Sequence, residues 1–398
     1  MILTPGRGLA WSAGVLLLGL GFLGPLAAQS RLPNEVTTTV GGSFSHWQFS
    51  TAAPQDSLAV SRVSQLGVPI SAAFSIGRWT FDAGFAVAAG KVKLSNGRSL
   101  DLNGITDVRI RAVGHLVSDH LLLTLGVNAP SGRTKLAGNE VDAIRVLGAP
   151  ALRMPVTNLG IGPAGTVGLV FATRAGAWSL GVGASVEGRG KYAPIESKIA
   201  GVTLPTDLHP GNTFRGSIGL DRIVSSARFS LLLATEVFSR DRIELRAPGG
   251  GGAVTTSYRL GPQFLATGFL ELGVRGFRAL TVSFADHYRT AFAGPSGQKV
   301  AGSSGNVAAL GIEGITGVAG RTGILFRLDG WVDSGLEVDN SITTAAMNAV
   351  GLTLGLSIPA GRATIQPFVR GQIGRLDTGP VSTTATGFGA GLKLVFDR

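Results

Sequence analysis

The sequence predicts an all-β chain: a transmembrane antiparallel up-and-down β-barrel of about 16 strands, within roughly 14–18. Three observations carry this prediction. Large apolar residues alternate with small or polar ones through segment after segment, the period of a strand with two unlike faces. Tight turns alternate with longer loops between those segments, as in barrels with short turns on one side of a membrane. The final segment, Thr384 to Phe396, repeats the pattern, with Phe388, Ala390, Leu392, Leu394 and Phe396 on one face and Ala385, Gly387, Gly389, Gly391 and Lys393 on the other.

Composition narrows the class. A mean hydropathy of +0.31 would fit helical membrane spans, but a spanning helix needs about 20 consecutive apolar residues, and only the N-terminus offers them. There Arg7 precedes an apolar run from Leu9 to Leu23, followed by Ala27, Ala28 and Ser30. This is the pattern of a secretory signal peptide, residues 1–30, removed to leave 31–398 as one barrel domain. The chain has no cysteine and so no disulfide framework. Net charge is +11 with only 15% charged residues, which is not the composition of a nucleic-acid binder. In an exported barrel such an excess either meets outer-membrane lipid headgroups and lipopolysaccharide phosphates or biases a pore toward anions.

The strands follow in order. Val36–Phe49 is the first, and Val60–Ile76 the second, with Leu66, Val68, Ile70, Ala72, Phe74 and Ile76 on one face. Ile76-Gly77-Arg78 turns into a third strand with Trp79, Phe81, Ala83, Phe85 and Val87 aligned. Ile105–Leu116 places Val108, Ile110 and Ala112 opposite Asp107, Arg109, Arg111 and His115. Leu121, Leu123, Leu125 and Val127 form the fifth strand, and Val167, Leu169 and Phe171 the sixth. In the seventh, Trp178, Leu180, Val182, Ala184 and Val186 oppose Ser179, Gly181, Gly183, Ser185, Glu187 and Arg189, and Trp178 and Tyr192 bracket the apolar face as girdle aromatics. Nine further strands are centred on Ile218, Leu233, Phe264, Phe284, Ile312, Phe326, Leu354, Val369 and Leu392.

Tight connections fall near 77, 118, 175, 224, 275, 319 and 360, and longer ones at 50–57, 91–103, 130–162, 191–210, 246–255, 293–301, 334–341 and 377–382. Seven and eight join sixteen strands and put both chain ends on the tight-turn side. The last strand then closes on Val36–Phe49, because a sheet in hydrocarbon cannot leave an edge unpaired.

The charges decide which face looks out. An arginine facing lipid at midplane costs roughly 2–4 kcal/mol, and nearly all of the strand arginines lie in the polar phase. That phase is therefore the lumen, predicted to carry Asp107, Arg109, Arg111, Glu187, Arg189, Arg215, Glu236, Arg240, Arg259, Glu271, Arg289, Glu313, Arg327 and Arg370. Oppositely charged neighbours can pair across strands, so these residues form a salt-bridge lattice, a charge-selecting water pathway, or both. Asp286 and Asn348 break phase and belong near a membrane boundary.

The longest connection, 130–162, carries Val141, Ile144, Val146, Leu147, Leu152 and Met154, too apolar for a loose tip. It either folds into the mouth and narrows the pore or holds another strand pair, making eighteen strands. Enzyme signals are weak: five histidines, among them His209 in Asp207-Leu-His209-Pro and the lumenal His115 and His287, show no nucleophile–base spacing. Metal-ligand spacing and phosphate-binding motifs are absent, so no catalytic residue, metal or cofactor is expected.

Two resemblances add to this reading. Gly391, Leu394 and Phe396 resemble the C-terminal signal read by the barrel-assembly machinery of bacterial outer membranes, which implies that machinery as a partner. Gly104, Asp107, Pro130 and Gly132, within residues 104–132, resemble the outer-membrane transporter family associated with meta-pathway phenol degradation, itself related to fatty-acid and aromatic-hydrocarbon channels. That resemblance implies an outer-membrane barrel passing small molecules. The function expected is passive, porin-like transport of hydrophobic compounds or small anions in a diderm bacterium; a structural or adhesive barrel is the alternative and a lipid hydrolase the third.

Overall fold

The computed structural model describes residues 36–55, 58–117, 120–199, 202–246, 253–317, 320–336 and 342–397. The signal peptide expected at 1–30 and the turns near 118 and 319 fall outside them, wholly or in part. The strands are β1 (Val36–Gln55), β2 (Leu58–Ile76), β3 (Trp79–Leu94), β4 (Ser99–Ile105), β5 (Val108–Val117), β6 (Leu121–Ala129), β7 (Ala164–Ala175), β8 (Trp178–Arg189), β9 (Tyr192–Ile199), β10 (Val202–His209), β11 (Thr213–Val224), β12 (Ala227–Phe238), β13 (Asp241–Arg246), β14 (Ala253–Tyr258), β15 (Gln263–Leu272), β16 (Phe277–Arg289), β17 (Gly305–Thr316), β18 (Gly323–Asp333), β19 (Ala346–Ala360), β20 (Ala363–Asp377) and β21 (Ser382–Asp397).

Sixteen of these make the barrel wall, each antiparallel to the next: β1, β2, β3, β5, β6, β7, β8, β11, β12, β15, β16, β17, β18, β19, β20 and β21. They are the sixteen segments that alternation picked out. The sheet closes where β21 pairs with β1, from Thr37↔Asp397 to Phe49↔Ala385, so both ends of the wall emerge beside the tight turns. Among the described residues each of the sixteen wall strands pairs on both sides, which is what a sheet needs in a medium with no hydrogen-bonding partners.

Alternation sets the outer face. Leu66, Ile110, Val127, Val182, Phe214, Leu233, Phe264, Leu310, Leu328, Leu352, Val369 and Phe388, from twelve different strands, all stand exposed on the outside. Apolar side chains of this size lose about 1.5–3 kcal/mol each when left in water. Twelve of them outweigh the roughly 5–15 kcal/mol that holds a domain together, so the exterior belongs in hydrocarbon. Asp286 and Asn348 lie on one cross-strand row, Asp286↔Ala308↔Val332↔Asn348↔Arg375. That polar-rich row lies toward the far end of the strands from the tight turns, at the upper edge of the apolar belt. Trp178 lies at the opposite edge, with the Arg222 guanidinium 4.8 Å above its ring. Tyr192 is not its girdle partner, because the chain breaks strand pairing at Gly190 and Lys191 and the Tyr192 ring turns against Gly162.

Above the wall, the longer connections are built rather than loose. β4 folds back on β3, and β9, β10, β13 and β14 form a separate four-stranded sheet. Connection 130–162 contains no strand pair. It forms helix α1 (Gly138–Leu147) and a short 3-10 turn (Pro150–Leu152), so the wall has sixteen strands and not eighteen.

Candidate functional site: a lumen crossed by one segment

Counted around the wall from β1, β6 is fifth and β18 thirteenth. Seven strands lie between them on either side of a ring of sixteen, so they face each other across the lumen. The segment 130–162 leaves from β6 and returns to β7, and between them its 3-10 turn reaches β18. There Trp331 donates its indole N–H to Ala151 O at 3.0 Å. Trp47 of β1 donates to Leu152 O at 2.9 Å, and the two indoles meet edge to face at 6.1 Å. Gln65 of β2 holds the returning stretch of the segment twice, accepting from Val156 N at 2.8 Å and donating to Val156 O at 2.7 Å. The segment therefore crosses the lumen and is tied to the far wall.

Apolar packing holds it there. Ala143, Val146, Leu147, Leu152 and Met154 are buried with Val63, Val92, Leu100, Leu102, Met347 and Leu376 in one core. Helix α1 presents Val141, Ile144 and Leu147 at helical spacing, with Glu140 accepting from Ala137 N at its start. Close approach requires a bare backbone on β3: a methyl group at Gly90 would stand 2.5 Å from Leu147 Cδ1.

Asp107 fastens the two ends of the segment to each other. Its carboxylate is buried and accepts from Asn128 Nδ2 at 2.8 Å, from Gly132 N at 2.9 Å, where the segment begins, and from Ile161 N at 2.8 Å, where it ends. Asn128 also donates to Gly162 O. An ionised carboxylate is acceptor-only, with about four lone-pair sites on its two oxygens, and so suits three donors at once. Pro130 and Gly132 keep the chain tight enough to reach it; a side chain at Gly132 would collide with Leu159 O and Asp107 N. The Gly104–Asp107–Pro130–Gly132 pattern thus marks the root of the inward fold, and Asp107 acts there as an anchor rather than as a free charge in a water pathway.

The segment's apolar core lies on one side, although Leu136 N also donates to Pro194 O of β9 at 3.2 Å. Among the described residues, every buried wall residue of its core comes from β1–β4, from β18–β21 or from the connection between β18 and β19. The opposite half of the lumen, β7 to β17, carries most of the predicted charges. Arg215, Glu236, Gln263 and Arg289 form one register row across β11, β12, β15 and β16. Arg215 Nε donates to Glu236 Oε1 at 2.8 Å, and His287 bonds Gln263 at 2.8 Å. Arg189 Nε meets Glu187 Oε1 at 2.7 Å, with about a quarter to a third of each side chain still exposed. These groups are paired yet remain open to the lumen.

The other predicted residues divide between lattice and rim. Arg111 pairs with Asp82 at 2.8 Å. Arg370 meets Asp329 at 2.6 Å, and Arg327 lies 3.4 Å from Asp329 and 3.8 Å from Glu313. Arg109 and Glu271 lie in the lumenal phase of β5 and β15. Arg240 and Arg259 sit at the rim, between β12 and β13 and between β14 and β15. His209 is 3.5 Å from Glu244, and Asp207 is bridged to Lys191 at 2.8 Å.

Sequence reasoning missed Arg153. It follows the 3-10 turn in the left-handed region at φ 48°, lies 4.8 Å over the Trp331 ring and 3.9 Å from Asp329, and is pushed down to about 10 by burial against the pull of Asp329. It missed Trp47, Trp331 and Gln65 as well. All of these but Arg153, which lies on the segment itself, sit in the phase expected to be polar or small, and a tryptophan there is the signal that something lands on it.

No family model matches the chain, and no curated protein does. Among solved structures it is similar to a deltaS2 mutant of the TodX monoaromatic hydrocarbon channel, at 10% identity over 92% of this chain and 91% of that one, with a TM-score of 0.44. It is similar to Pseudomonas putida OprB in a high-pH structure, at 11% identity over 92% and 94%, TM-score 0.47, and to the Ralstonia pickettii toluene transporter TbuX, at 11% over 92% and 90%, TM-score 0.40. Likeness at this level assigns no activity. The barrel stands on the pairing of its own strands.

Proposed function

We propose that the protein is a passive outer-membrane pore for small solutes, with anions preferred, exported with a cleaved signal peptide and inserted by the barrel-assembly machinery through its C-terminal strand. One observation carries the reading: segment 130–162 spans the lumen, but its apolar core lies on one half only. It leaves beside it a half-lumen, β7 to β17, lined by Arg189, Arg215 and Arg289 with Glu187, Glu236, Glu271 and Glu313. A scaffold or adhesin has no use for an internal constriction with a charged, half-exposed face opposite it. The segment itself carries Arg133, Lys135, Arg145 and Arg153 against Glu140 and Asp142, and this basic excess favours anions in the narrow part, where fixed charge acts over short distances. Small polar or anionic solutes fit better than hydrophobic ones, because the apolar side chains of the lumen are consumed in holding the segment.

The test is planar-bilayer conductance of the refolded mature chain in a salt gradient. The wild-type chain is expected to give small, steady, anion-selective steps. Deletion of 135–158 is expected to raise conductance several-fold, and Arg215→Glu with Arg289→Glu to move the reversal potential toward cations. Absence of conductance both before and after the deletion would refute the pore.

A further inference from the structure

A second feature lies on the outer wall, away from the lumen. On the outer face of β1–β3 the apolar rows end abruptly. Phe44, Leu66 and Ala89 form one cross-strand row; the next row away from the tight turns is His46, Ser64 and Lys91, and the one after it is Gln48, Arg62 and Lys93. Arg62 and Lys93 stand directly opposite each other on neighbouring strands and are both exposed. Like charges in that relation repel. Asp101 stands 4.0 Å from Lys91, but no carboxylate among the described residues pairs with Arg62 or Lys93. Beside them is a groove of about 460 Å³ lined by Gln48, Ser50, Ser61, Arg62, Lys93 and Ser95. The unit is thus a cationic, hydroxyl-rich recess directly above a bare apolar surface, on the side of the membrane where the long connections lie.

We propose that this recess binds the headgroup of a phosphorylated glycolipid of the outer leaflet. Arg62, Lys93 and Lys91 would take a phosphate, Ser50 and Gln48 the sugar hydroxyls, and Phe44 and Leu66 the acyl chains below. The chemistry follows from the order of the rows. A free anion would use the cations and ignore the apolar surface beneath; a neutral lipid would use the surface and leave two opposed cations unscreened. A phosphorylated lipid satisfies both with one molecule and relieves the Arg62–Lys93 repulsion. The proposal is independent of what passes through the lumen.

The experiment compares the mature barrel with the triple variant Arg62→Gln, Lys91→Gln, Lys93→Gln in detergent micelles. Binding of bisphosphorylated lipid A and of the same lipid stripped of phosphate is measured by native mass spectrometry, with inorganic phosphate as competitor. The expected result is that the wild-type barrel retains the phosphorylated lipid at least tenfold better than the stripped one, and that the triple variant loses this preference. Inorganic phosphate at millimolar concentration should not displace the lipid. Equal retention of both lipids by the wild type, an undiminished preference in the triple variant, or displacement by inorganic phosphate alone would each overturn the proposal. Heat-modifiable gel mobility and conductance, expected to be unchanged in the variant, separate loss of this site from loss of the barrel.

Discussion

Replacing Asp107 by alanine tests whether the constriction is a fastened element. The carboxylate accepts three hydrogen bonds, from Asn128 and from the backbone at Gly132 and Ile161, and is 2% exposed. Bonds to a charged acceptor contribute about 1.5–3 kcal/mol each, and the cost of burying the charge offsets part of the sum. A net loss of about 3 kcal/mol is therefore expected, which is about two decades in an equilibrium constant. Against it stand Val146, Leu147, Leu152 and Met154, buried against the inner wall at about 1.5–3 kcal/mol each. Their sum exceeds the loss, so the segment should stay docked while its two ends, no longer tied, open roughly a hundredfold more often. In single-channel recordings the variant should flicker between the wild-type level and a larger one, with the mean close to wild type. Trypsin should cut faster after Lys135 and Arg145. An Asp107→Ala channel as quiet and as protease-resistant as the wild type would refute the anchoring role.

Two further outcomes follow from the same geometry. Gly90→Val places its Cβ about 2.5 Å from Leu147 Cδ1, far inside contact distance, so it should expel α1 without changing any charge and give steps as large as those of the 135–158 deletion, measured in the same bilayers. Arg153→Gly removes a guanidinium whose charged form burial disfavours and relieves a left-handed backbone that costs a non-glycine residue about 1–2 kcal/mol. It should leave protease resistance of the segment equal or higher while lowering anion preference; a cut rate several-fold above wild type would show that the Asp329 contact holds the turn in place.

The wall was legible because lipid and water impose opposite demands on alternate residues. Each strand therefore carries its own face assignment: Leu352 and Leu354 outside, Gly351 and Thr353 inside. Closure of β21 on β1 followed from the same demand. The contents of the lumen were less legible, because there three surfaces meet that are far apart in sequence. Asp107 is read by alternation as one more lumenal charge; only the return of the chain at Ile161 turns it into an anchor. Helix α1 was hidden by its shortness, since Val141, Ile144 and Leu147 give three points of a helical stripe among residues that also fit a strand pair. The four-stranded sheet above the rim was read as loops because it crosses no membrane and so has no lipid face to enforce strict alternation.

What the sequence did contain was an inconsistency within the lumenal phase. Most lumenal positions on β1, β2 and β21 are small or polar: Ser43, Ser45, Ser71, Gly387, Gly389 and Gly391. Trp47 and Trp331 break that rule on strands four apart in the wall. A tryptophan turned into water loses the burial that makes it worth placing, so two of them in one phase require an apolar partner inside the barrel. Of the long connections, 130–162 is the one with enough apolar residues to supply it. The same reasoning puts the proposed passage off-centre. The buried apolar core lies on the β18–β4 side, so a segment held by apolar contact must lie against it, and a passage must run along the β7–β17 side.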